Sequence, residues 1–407
     1  MTRPVTMIGG AMSPLTKLAD QSSFDLVRKT VDQALADAGL PRDALEGLAI
    51  TPPGLASHST AMFVSRLGAY LGIPLKSLAC LENGGCSSAL ALRWAVFEVA
   101  SGRCEVAVAV GADQRYNTRP EKHEEFASFM DRTVMGTMAV YGSYDGVYGL
   151  GAPIPYYAMS AQRYMHETGA TPEDFAWASV RLREHAHRHP HAMFRDKALS
   201  VAEVLDSKML SPPLHLQDCS QFVSGAAAVV IASEDVARSL ESVVPVKLRG
   251  WGQHHDPSAF SAGARSLTSF PAVKQAAAEA YEVAGVAPAD IDVAEVYGVF
   301  SSTELMLCED LGFFERGQAG AAFREGRATH GGDIVIDPSG GRLSLGHPAC
   351  ATPLLEAVEI CHQLQGKARS DEVSTDRQVP NASLGLMHAE HGMLNGSIVT
   401  IWERGDA

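Results

Sequence analysis

The strongest constraint on the fold is an internal duplication of two segments. DAGLPRDALEGLAI at 37–50 has a counterpart in VAGVAPADIDVAEV at 283–296, and each pattern indicates a helix end, a short turn and a strand. CSSALALRWAVFEVASGR at 86–103 aligns without a gap on CATPLLEAVEICHQLQGK at 350–367. Because both segments recur in the same order, the sequence predicts two similar halves related by a pseudo-twofold axis. The N-termini of the two repeated helices should then face each other near the centre.

Strand and helix patterns alternate along the first half. Residues 4–10 and 47–51 are typical of strands, and the segment from Ser23 to Gly39 has apolar residues at helical spacing. The continuous apolar runs at 106–112 and 226–231 are typical of strands buried on both faces. This alternation predicts an α/β fold with largely parallel sheets.

The alternation is interrupted after the predicted strand at 106–112. The following stretch is too long for a simple connection, so it predicts an inserted loop domain at about 114–212. A helix is expected there from about Thr171 to His185. We therefore predict an N-terminal half over 1–240, which contains the insertion, and a C-terminal half over 241–407.

Composition narrows the class of protein. The formal net charge of −14 disfavours nucleic acid as a partner, because phosphate binding needs a basic face. The sequence contains no run of about 18 apolar residues, which a membrane span would need, and its first residues lack the apolar segment of a signal peptide. The seven cysteines form no Cys-x-x-Cys pair, which argues against a disulfide framework and a zinc ribbon. We therefore expect a cytoplasmic protein that holds no metal.

Cys86 stands at the start of the first repeated helix. The two glycines of the preceding ENGG allow a sharp turn between strand and helix. A helix N-terminus favours negative charge, which lowers the pKa of a thiol and makes it a better nucleophile. The alternative is a buried structural cysteine, which is the commonest role of a free cysteine. Cys86 alone does not decide between the two interpretations.

His347 lies just before the second repeated helix, in DPSGGRLSLGHPACATP at 337–353. If the halves are related as the duplication predicts, His347 lies close to Cys86. A neutral imidazole can accept a thiol proton, and the resulting imidazolium then stabilises the thiolate. An isolated histidine at a helix end is more often structural, but its pairing with Cys86 by the repeat favours a catalytic role.

Five blocks spread in order over nearly the whole chain resemble the thiolase superfamily, in particular its sterol-carrier-protein type thiolases and thiolase-like lipid-transfer proteins. The blocks are ENGGCSSALAL, YGLGAPIPYYAMSAQRYM, PLHLQDCSQFVSGAAAVVIAS, EVYGVFSSTELMLCEDLGF and DPSGGRLSLGHPACAT. The resemblance implies a five-layered αβαβα fold of two duplicated halves with an inserted loop domain. It also implies a homodimer or a dimer of dimers, and a coenzyme A thioester as substrate. By position, Cys86 matches the family's acyl-accepting nucleophile, and His347 matches the histidine of its GHP motif, which activates that nucleophile and helps to form an oxyanion hole.

Two residues depart from the family pattern near this predicted site. Tyr297 replaces the Asn or His of an oxyanion-binding block, and its phenol either donates a hydrogen bond to the oxyanion or packs at a strand end. Cys350 replaces a glycine of the GHP motif, where it is either a buried spacer or a reactive thiol. A side chain at Cys350 would narrow the site next to His347.

The C-terminal segment departs most from the family pattern. Degradative and biosynthetic thiolases carry a second cysteine there, which exchanges the α-proton of the substrate, whereas sterol-carrier-type thiolases use a nearby histidine. This chain has NASLGLMHAEHG at 381–392 in its place. His388 is the predicted second base, with His391 as an alternative and Glu390 as a residue that steers the imidazole. The other interpretation is a polar turn before the last strand.

A basic cluster, RLREHAHRH at 181–189, lies within the predicted loop domain. In the family this domain covers the substrate tunnel, so the resemblance makes Arg181, Arg183 and Arg188 candidates for binding the phosphates of coenzyme A. The alternative is a solvated helix face.

The sequence therefore predicts a thiolase-type acyltransferase. Cys86 would attack an acyl-CoA thioester, His347 would handle the proton, and backbone amides with Tyr297 would stabilise the oxyanion. The acyl group would then pass to a second acceptor, in thiolytic cleavage or in a Claisen-type condensation. One alternative is a retro-aldol lyase of hydroxyacyl-CoA side chains, which uses tyrosines and a small partner protein with an OB-fold. The other is a non-catalytic lipid-binding or scaffold subunit.

Overall fold

Helices and strands alternate along both halves of the chain, as the sequence predicts. The structure, a computed structural model, describes residues 3–17, 21–52, 62–114, 150, 153–241, 243–257, 266–370, 376–392 and 394–405. Its first elements are β1 (Val5–Met12), α1 (Ser23–Asp37), β2 (Gly47–Ile50), α2 (Phe63–Leu71), β3 (Ser77–Cys80), α3 (Ser87–Ala100), β4 (Val106–Asp113), α4 (Pro153–Thr168), α5 (Pro172–Arg188), α6 (Val201–Leu205), β5 (Met209–Ser211), β6 (Leu214–His215) and β7 (Gly225–Ser233). The later ones are α7 (Glu234–Arg238), β8 (Val246–His255), α8 (Pro271–Ala284), β9 (Val293–Glu295), α9 (Ser301–Asp310), α10 (Ala319–Arg324), β10 (Val335–Ile336), α11 (Thr352–Gln365), β11 (Leu384–Glu390) and β12 (Gly396–Arg404). Residues 115–149 of the predicted loop domain lie outside the described residues.

Ten of these strands form one sheet whose two halves have the same topology. The strand order is β10-β9-β11-β12-β8-β1-β7-β4-β2-β3, so β1, β2, β3, β4 and β7 correspond to β8, β9, β10, β11 and β12. The strand directions also correspond, because β2 and β9 pair in parallel with both neighbours, whereas β7 and β12 pair antiparallel with both neighbours. A short antiparallel contact between β1 and β8 joins the halves. The predicted duplication is confirmed.

The prediction of largely parallel sheets is wrong for part of each half. Strand β7 runs antiparallel to β4 and β1, and β12 runs antiparallel to β11 and β8. These strands are nevertheless buried on both faces, because helices cover both sides of the sheet. A continuous apolar run therefore indicated burial correctly but did not reveal strand direction.

The aligned segments adopt matching structures. Gly39 and Gly285 both have positive φ, +70° and +68°, and follow the ends of α1 and α8. Each is followed by a short 3-10 turn, Arg42–Ala44 or Pro288–Asp290, before β2 or β9. Helices α3 and α11 have 14 residues each. The left-handed backbone at the two glycines explains why Gly recurs at this point of the repeat.

The helices and half-sheets form five layers. Helices α3 and α11 pack against each other in the middle, in an apolar cluster that includes inward faces of both half-sheets. Helices α1 and α2 cover the outer face of the first half-sheet, and α8 and α9 cover that of the second. The αβαβα arrangement implied by the resemblance is confirmed.

The insertion adds helices to the second half. The predicted helix from about Thr171 to His185 is α5, which starts after a capping box between Thr171 and Asp174 with Pro172 in its first turn. Residues of α4 and α5 join the apolar cluster that contains α8 and α9. Within the described ranges, no helix is long and apolar enough to span a bilayer.

The close packing of α8 on β8 gives a stability prediction. A Cβ added at Gly252 would lie 1.9 Å from the carbonyl oxygen of Ala276, so the helix backbone itself must move. We expect Gly252→Ala to lower the free energy of unfolding by about 1–3 kcal/mol or more, as overpacking does. The control is Gly68→Ala in α2, where the nearest atom is the end of the flexible Leu78 side chain at 3.0 Å. Chemical unfolding of both variants checks this, and equal losses would contradict it.

Candidate active site

A tight turn places Cys86 at the N-terminus of α3. The backbone N–H of Cys86 donates to the carbonyl oxygen of Asn83 at 3.0 Å, and that of Ser87 donates to Gly84 at 3.1 Å. The Ser87 hydroxyl donates to the Gly84 carbonyl at 2.6 Å and accepts from the Asn83 N–H at 2.8 Å. Gly84 has a φ of +52°. The predicted turn before the cysteine is therefore present and held by its own hydrogen bonds.

Gly85 brings the end of β11 next to this turn. Its N–H donates to the carbonyl oxygen of His391 at 3.0 Å. A Cβ at Gly85 would lie 2.2 Å from the carbonyl oxygen of Glu390 and 2.8 Å from the hydroxyl oxygen of Tyr297. A glycine is therefore required here, because segments of the second half approach the backbone next to Cys86.

The thiol of Cys86 is buried and protonated. Burial raises the pKa of Cys86 well above its usual range, and the nearby carboxyls of Glu390 and Glu356 raise it further. A backbone hydrogen bond from Ile398 opposes this effect only partly. The expectation of a lowered thiol pKa is therefore wrong, because desolvation outweighs the helix N-terminus. Nucleophilic attack by Cys86 requires a group that takes its proton.

His347 lies in an aromatic and apolar environment. Its ring stacks on Phe222 with centroids 5.2 Å apart and meets the Tyr297 ring edge-on at 5.4 Å. Burial lowers the pKa of His347 to about 3, and the charge of Arg342 acts in the same direction. The imidazole is therefore neutral.

Hydrogen bonding indicates which nitrogen of His347 can accept a proton. Nδ1 lies 3.0 Å from the hydroxyl oxygen of Thr352, and that hydroxyl donates to the carbonyl oxygen of Pro348 at 3.2 Å. Because the hydroxyl has a single proton, it accepts from Nδ1–H, and this network assigns the lone pair to Nε2. His347 is thus arranged as a base through Nε2.

Tyr297 lies between these groups. Its side chain is buried, with the hydroxyl 3.4 Å from the carbonyl oxygen of Ala349. Burial raises the pKa of Tyr297 well above its usual range. Nearby carboxyls and thiols, including Glu390 and Cys86, raise it further. The phenol therefore keeps its proton and is available as a donor. Cys350, the other departure from the family pattern, is half-buried in the same region.

His388 is buried within β11. Its Nδ1 accepts from the Tyr297 N–H at 3.3 Å, and no described residue hydrogen-bonds its Nε2. Burial lowers its pKa to about 3. The flanking Met387 and Ala389 pack in the cluster that contains Cys86, whereas His388 lies on the other face of the strand, where it accepts from the backbone of Tyr297. The structure records no contact between the predicted second base and the thiol.

Glu390, which the sequence predicts only as a residue that steers the imidazole of a second base, lies next to the turn that carries Cys86. It ends β11 and is fully buried, and one carboxylate oxygen, Oε2, accepts from the N–H groups of Gly392 at 2.5 Å and Leu394 at 3.2 Å. The other, Oε1, lies 3.5 Å from the hydroxyl of Tyr157. Burial raises the pKa of Glu390 to about 7. The sequence places Glu390 near the end of the last-but-one strand but does not show that this strand end meets the turn before Cys86.

Arg181, predicted to bind a coenzyme A phosphate, is buried instead. Its guanidinium lies 2.5 Å from the carboxylate of Glu304 and also donates to the carbonyl oxygen of Ile336. It packs over the ring of Phe323 at 4.5 Å. The prediction for Arg181 is wrong, because its charge is already paired within the protein and has no access to solvent.

The rest of the basic cluster is also largely internal. Arg183 is buried, donates to the Ser344 hydroxyl at 3.0 Å and lies over the ring of Phe194 at 4.6 Å, which contradicts its predicted contact with phosphate. Arg188 is half-buried and donates to the carbonyl oxygen of Asp376 at 3.2 Å. Of the three arginines, Arg188 is the one that keeps partial access to solvent.

Comparisons with known proteins agree with this fold. The thiolase C-terminal domain-like family matches residues 252–404. The chain is 32% identical over 408 residues to acetyl-CoA acetyltransferase of Methanothermobacter thermautotrophicus, covering 99% of this chain and 100% of that protein. It is 29% identical over 413 residues to sterol carrier protein 2 of Bos taurus, covering 98% and 72% of the two chains. Among solved structures, the Ltp2-ChsH2(DUF35) aldolase aligns with a TM-score of 0.82 and 25% identity over 98% of both chains.

The buried, protonated thiol gives a labelling prediction. The thiolate is the reactive species, so at neutral pH iodoacetamide should modify the exposed Cys80 before the buried Cys86. Peptide mass spectrometry over a time course measures both sites. Cys80→Ser should remove the fast phase, and Cys86→Ala should leave it. Faster labelling of Cys86 than of Cys80 would contradict the protonated, inaccessible thiol.

The buried histidines make stability sensitive to acid. As the pH falls below 6.5, the unfolded chain takes up protons that folded His347 and His388 do not bind until about pH 3, so the free energy of unfolding falls. His388→Gln removes one such group and should reduce this slope by up to about 1.4 kcal/mol per pH unit. Urea unfolding at several pH values between about 6 and 4 tests this. Parallel curves for variant and wild type would contradict a buried neutral His388.

Proposed function

Because the chain belongs to the thiolase superfamily, we propose that it is an acyl-CoA acyltransferase that carries its acyl group on Cys86. One observation carries the proposal. Cys86 starts a helix at the point where Tyr297 and Glu390 of the second half approach the preceding Gly85, and the Tyr297 ring contacts His347. Covalent catalysis by a buried thiol needs a proton acceptor and a hydrogen-bond donor in its vicinity, and His347 and Tyr297 are the groups that we assign to these roles.

The first half-reaction follows from these groups. Nε2 of His347 takes the thiol proton of Cys86 while Sγ bonds to the thioester carbonyl carbon. The oxyanion accepts hydrogen bonds from the Tyr297 hydroxyl and from backbone N–H groups at the start of α3. Collapse of this intermediate breaks the bond to the coenzyme A sulfur, which leaves with the proton from His347. An acyl-cysteine remains for the second acceptor, another acyl-CoA in condensation or coenzyme A in thiolytic cleavage.

The assembly and the coenzyme contacts are part of the same proposal. Family resemblance supports a homodimer or a dimer of dimers. Arg181 and Arg183 have structural partners, so the half-buried Arg188 is the one of the three arginines that we retain as a candidate for a coenzyme A phosphate.

A retro-aldol lyase is the second candidate function, and one observation favours it. Two buried tyrosines, Tyr157 and Tyr297, lie beside Glu390, and the aldolase that aligns with this chain is described together with a DUF35 component. In this alternative a phenol exchanges the proton of the hydroxyacyl substrate, and a small OB-fold partner completes the enzyme. Cys86 would then take no part in catalysis.

Acylation of Cys86 is the decisive measurement. Incubation with acetyl-, butyryl- and octanoyl-CoA should add the mass of one acyl group to the intact protein, because Cys86 forms a covalent thioester. Cys86→Ala should abolish the adduct, while Cys80→Ser should retain it. The absence of an adduct with all three substrates, or an adduct on Cys86→Ala, would contradict the acyltransferase. Ketone release from a β-hydroxyacyl-CoA that survives Cys86→Ala but is lost in Tyr297→Phe would establish the lyase.

A further inference from the structure

We propose that Glu390 is the second acid–base residue of the site, the group that removes the α-proton of the substrate in condensation and returns it in cleavage. This role rests on the proposed function, since it supplies the step that follows acylation of Cys86. It also replaces the prediction made for His388.

The backbone places Glu390 beside the nucleophile. Its carbonyl oxygen lies 2.2 Å from the position of a Cβ on Gly85, and the next residue, His391, accepts the Gly85 N–H. The neighbouring strand β12 supplies a backbone hydrogen bond from Ile398 to the thiol of Cys86. The paired strands β11 and β12 therefore hold the backbone of Glu390 next to Cys86, and the carboxyl of Glu390 is near enough for its charge to act on the thiol.

The carboxyl is oriented with one oxygen fixed and the other weakly engaged. Oε2 of Glu390 accepts two backbone N–H groups, from Gly392 and Leu394. The Tyr157 hydroxyl donates to the Gly392 carbonyl oxygen at 2.8 Å and lies 3.5 Å from Oε1. A phenol has one proton, which the shorter bond uses. Oε1 can therefore bind or release a proton while Oε2 keeps the side chain in place.

The surroundings allow both protonation states of Glu390. Cys86, Tyr157 and Tyr297 are the ionisable groups that interact electrostatically or by hydrogen bonding with Glu390, and all three are neutral. Within the described residues, no Lys or Arg forms an ion pair with Glu390. Burial raises the pKa of Glu390 to about 7, where a general acid–base group works in both directions. The nearby Glu356 differs, because it lies 3.6 Å from Arg342.

The proposed step balances without a further reactant. In condensation, the Glu390 carboxylate takes the α-proton of a second acyl-CoA, and the resulting carbanion attacks the acyl carbon on Cys86. A carbon–carbon bond forms and the carbon–sulfur bond to Cys86 breaks. The departing thiolate takes the proton from Glu390, which restores both residues. In cleavage the same steps run backwards, and protonated Glu390 delivers its proton to the carbanion of the leaving acyl-CoA.

Glu390→Gln separates this step from acylation. In D2O the wild type should exchange the α-protons of acetyl-CoA for deuterium, and the variant should lose about 100-fold or more of that rate, the usual contribution of a general base. Acylation of Cys86 should persist in the variant, since removing the carboxylate charge favours ionisation of the thiol. A purely structural role for Glu390 predicts parallel losses of both activities. Glu390→Asp should recover part of the exchange.

Glu309 offers a matched control. It is a buried glutamate of α9 that, like Glu390, lies next to a tyrosine hydroxyl and accepts two backbone N–H groups; the hydroxyl of Tyr164 donates to it at 2.6 Å, and the N–H groups are those of Gly317 at 2.9 Å and Ala319 at 3.2 Å. Glu309→Gln makes the same chemical change in a similar hydrogen-bonding environment. It should leave α-proton exchange within about threefold of the wild type, well below the usual effect of a general base.

The possible results distinguish the two proposals. Exchange that survives Glu390→Gln, or a wild type that exchanges no α-proton, overturns the role of Glu390. The Cys86→Ala variant cannot form the acyl-cysteine. If its α-proton exchange is lost on adding Glu390→Gln, the acid–base role of Glu390 is supported even if the wild type forms no acyl adduct. A wild type that exchanges α-protons through Glu390 but forms no acyl adduct overturns the proposed nucleophile alone.

Discussion

The hydrogen bond between the Gly85 N–H and the His391 carbonyl joins the two halves of the molecule where the N-terminus of α3 meets the end of β11. Gly85 precedes Cys86 in the first half, and His391 follows the last residue of β11 in the second. A side chain at Gly85 would collide with the Glu390 backbone, so the approach depends on its absence. The twofold arrangement by itself only brings the two repeated helices together. This contact is what puts Cys86 and Glu390 into a single site.

Desolvation determines the charge state of that site. Burial raises the pKa of Cys86 and Tyr297, lowers that of His347 to about 3, and raises that of Glu390 to about 7. At neutral pH the thiol, the phenol and the imidazole are therefore uncharged, and Glu390 alone is close to equal protonation. A charge created anywhere in this low-dielectric site is costly unless a partner takes the opposite charge. Any reaction of the Cys86 thiol would therefore need a proton transfer at the same step.

The sequence was sufficient to predict the architecture, because the helix, turn and strand patterns of the aligned segments occur once in each half and support each other. Sequence patterns also located Cys86, whose glycine turn is a local feature. They failed where the outcome depends on distant partners. The spacing of Arg181 cannot reveal that Glu304, 123 residues away, neutralises it in the interior. Likewise, the choice between His388 and Glu390 depends on which end of β11 meets the start of α3, which no local pattern contains.

Two arginines of α5, Arg181 and Arg183, contact the segments that lead to Tyr297 and His347. Arg181 donates to the carbonyl oxygen of Ile336, and the adjacent Asp337 accepts the N–H of Val296, directly before Tyr297. Arg183 hydrogen-bonds Ser344, three residues before His347. Helix α5 therefore ties together the two segments that carry the phenol and the imidazole. Truncating one partner of such a buried network leaves an unpaired charge, so these interactions hold the insertion to the segments that carry Tyr297 and His347.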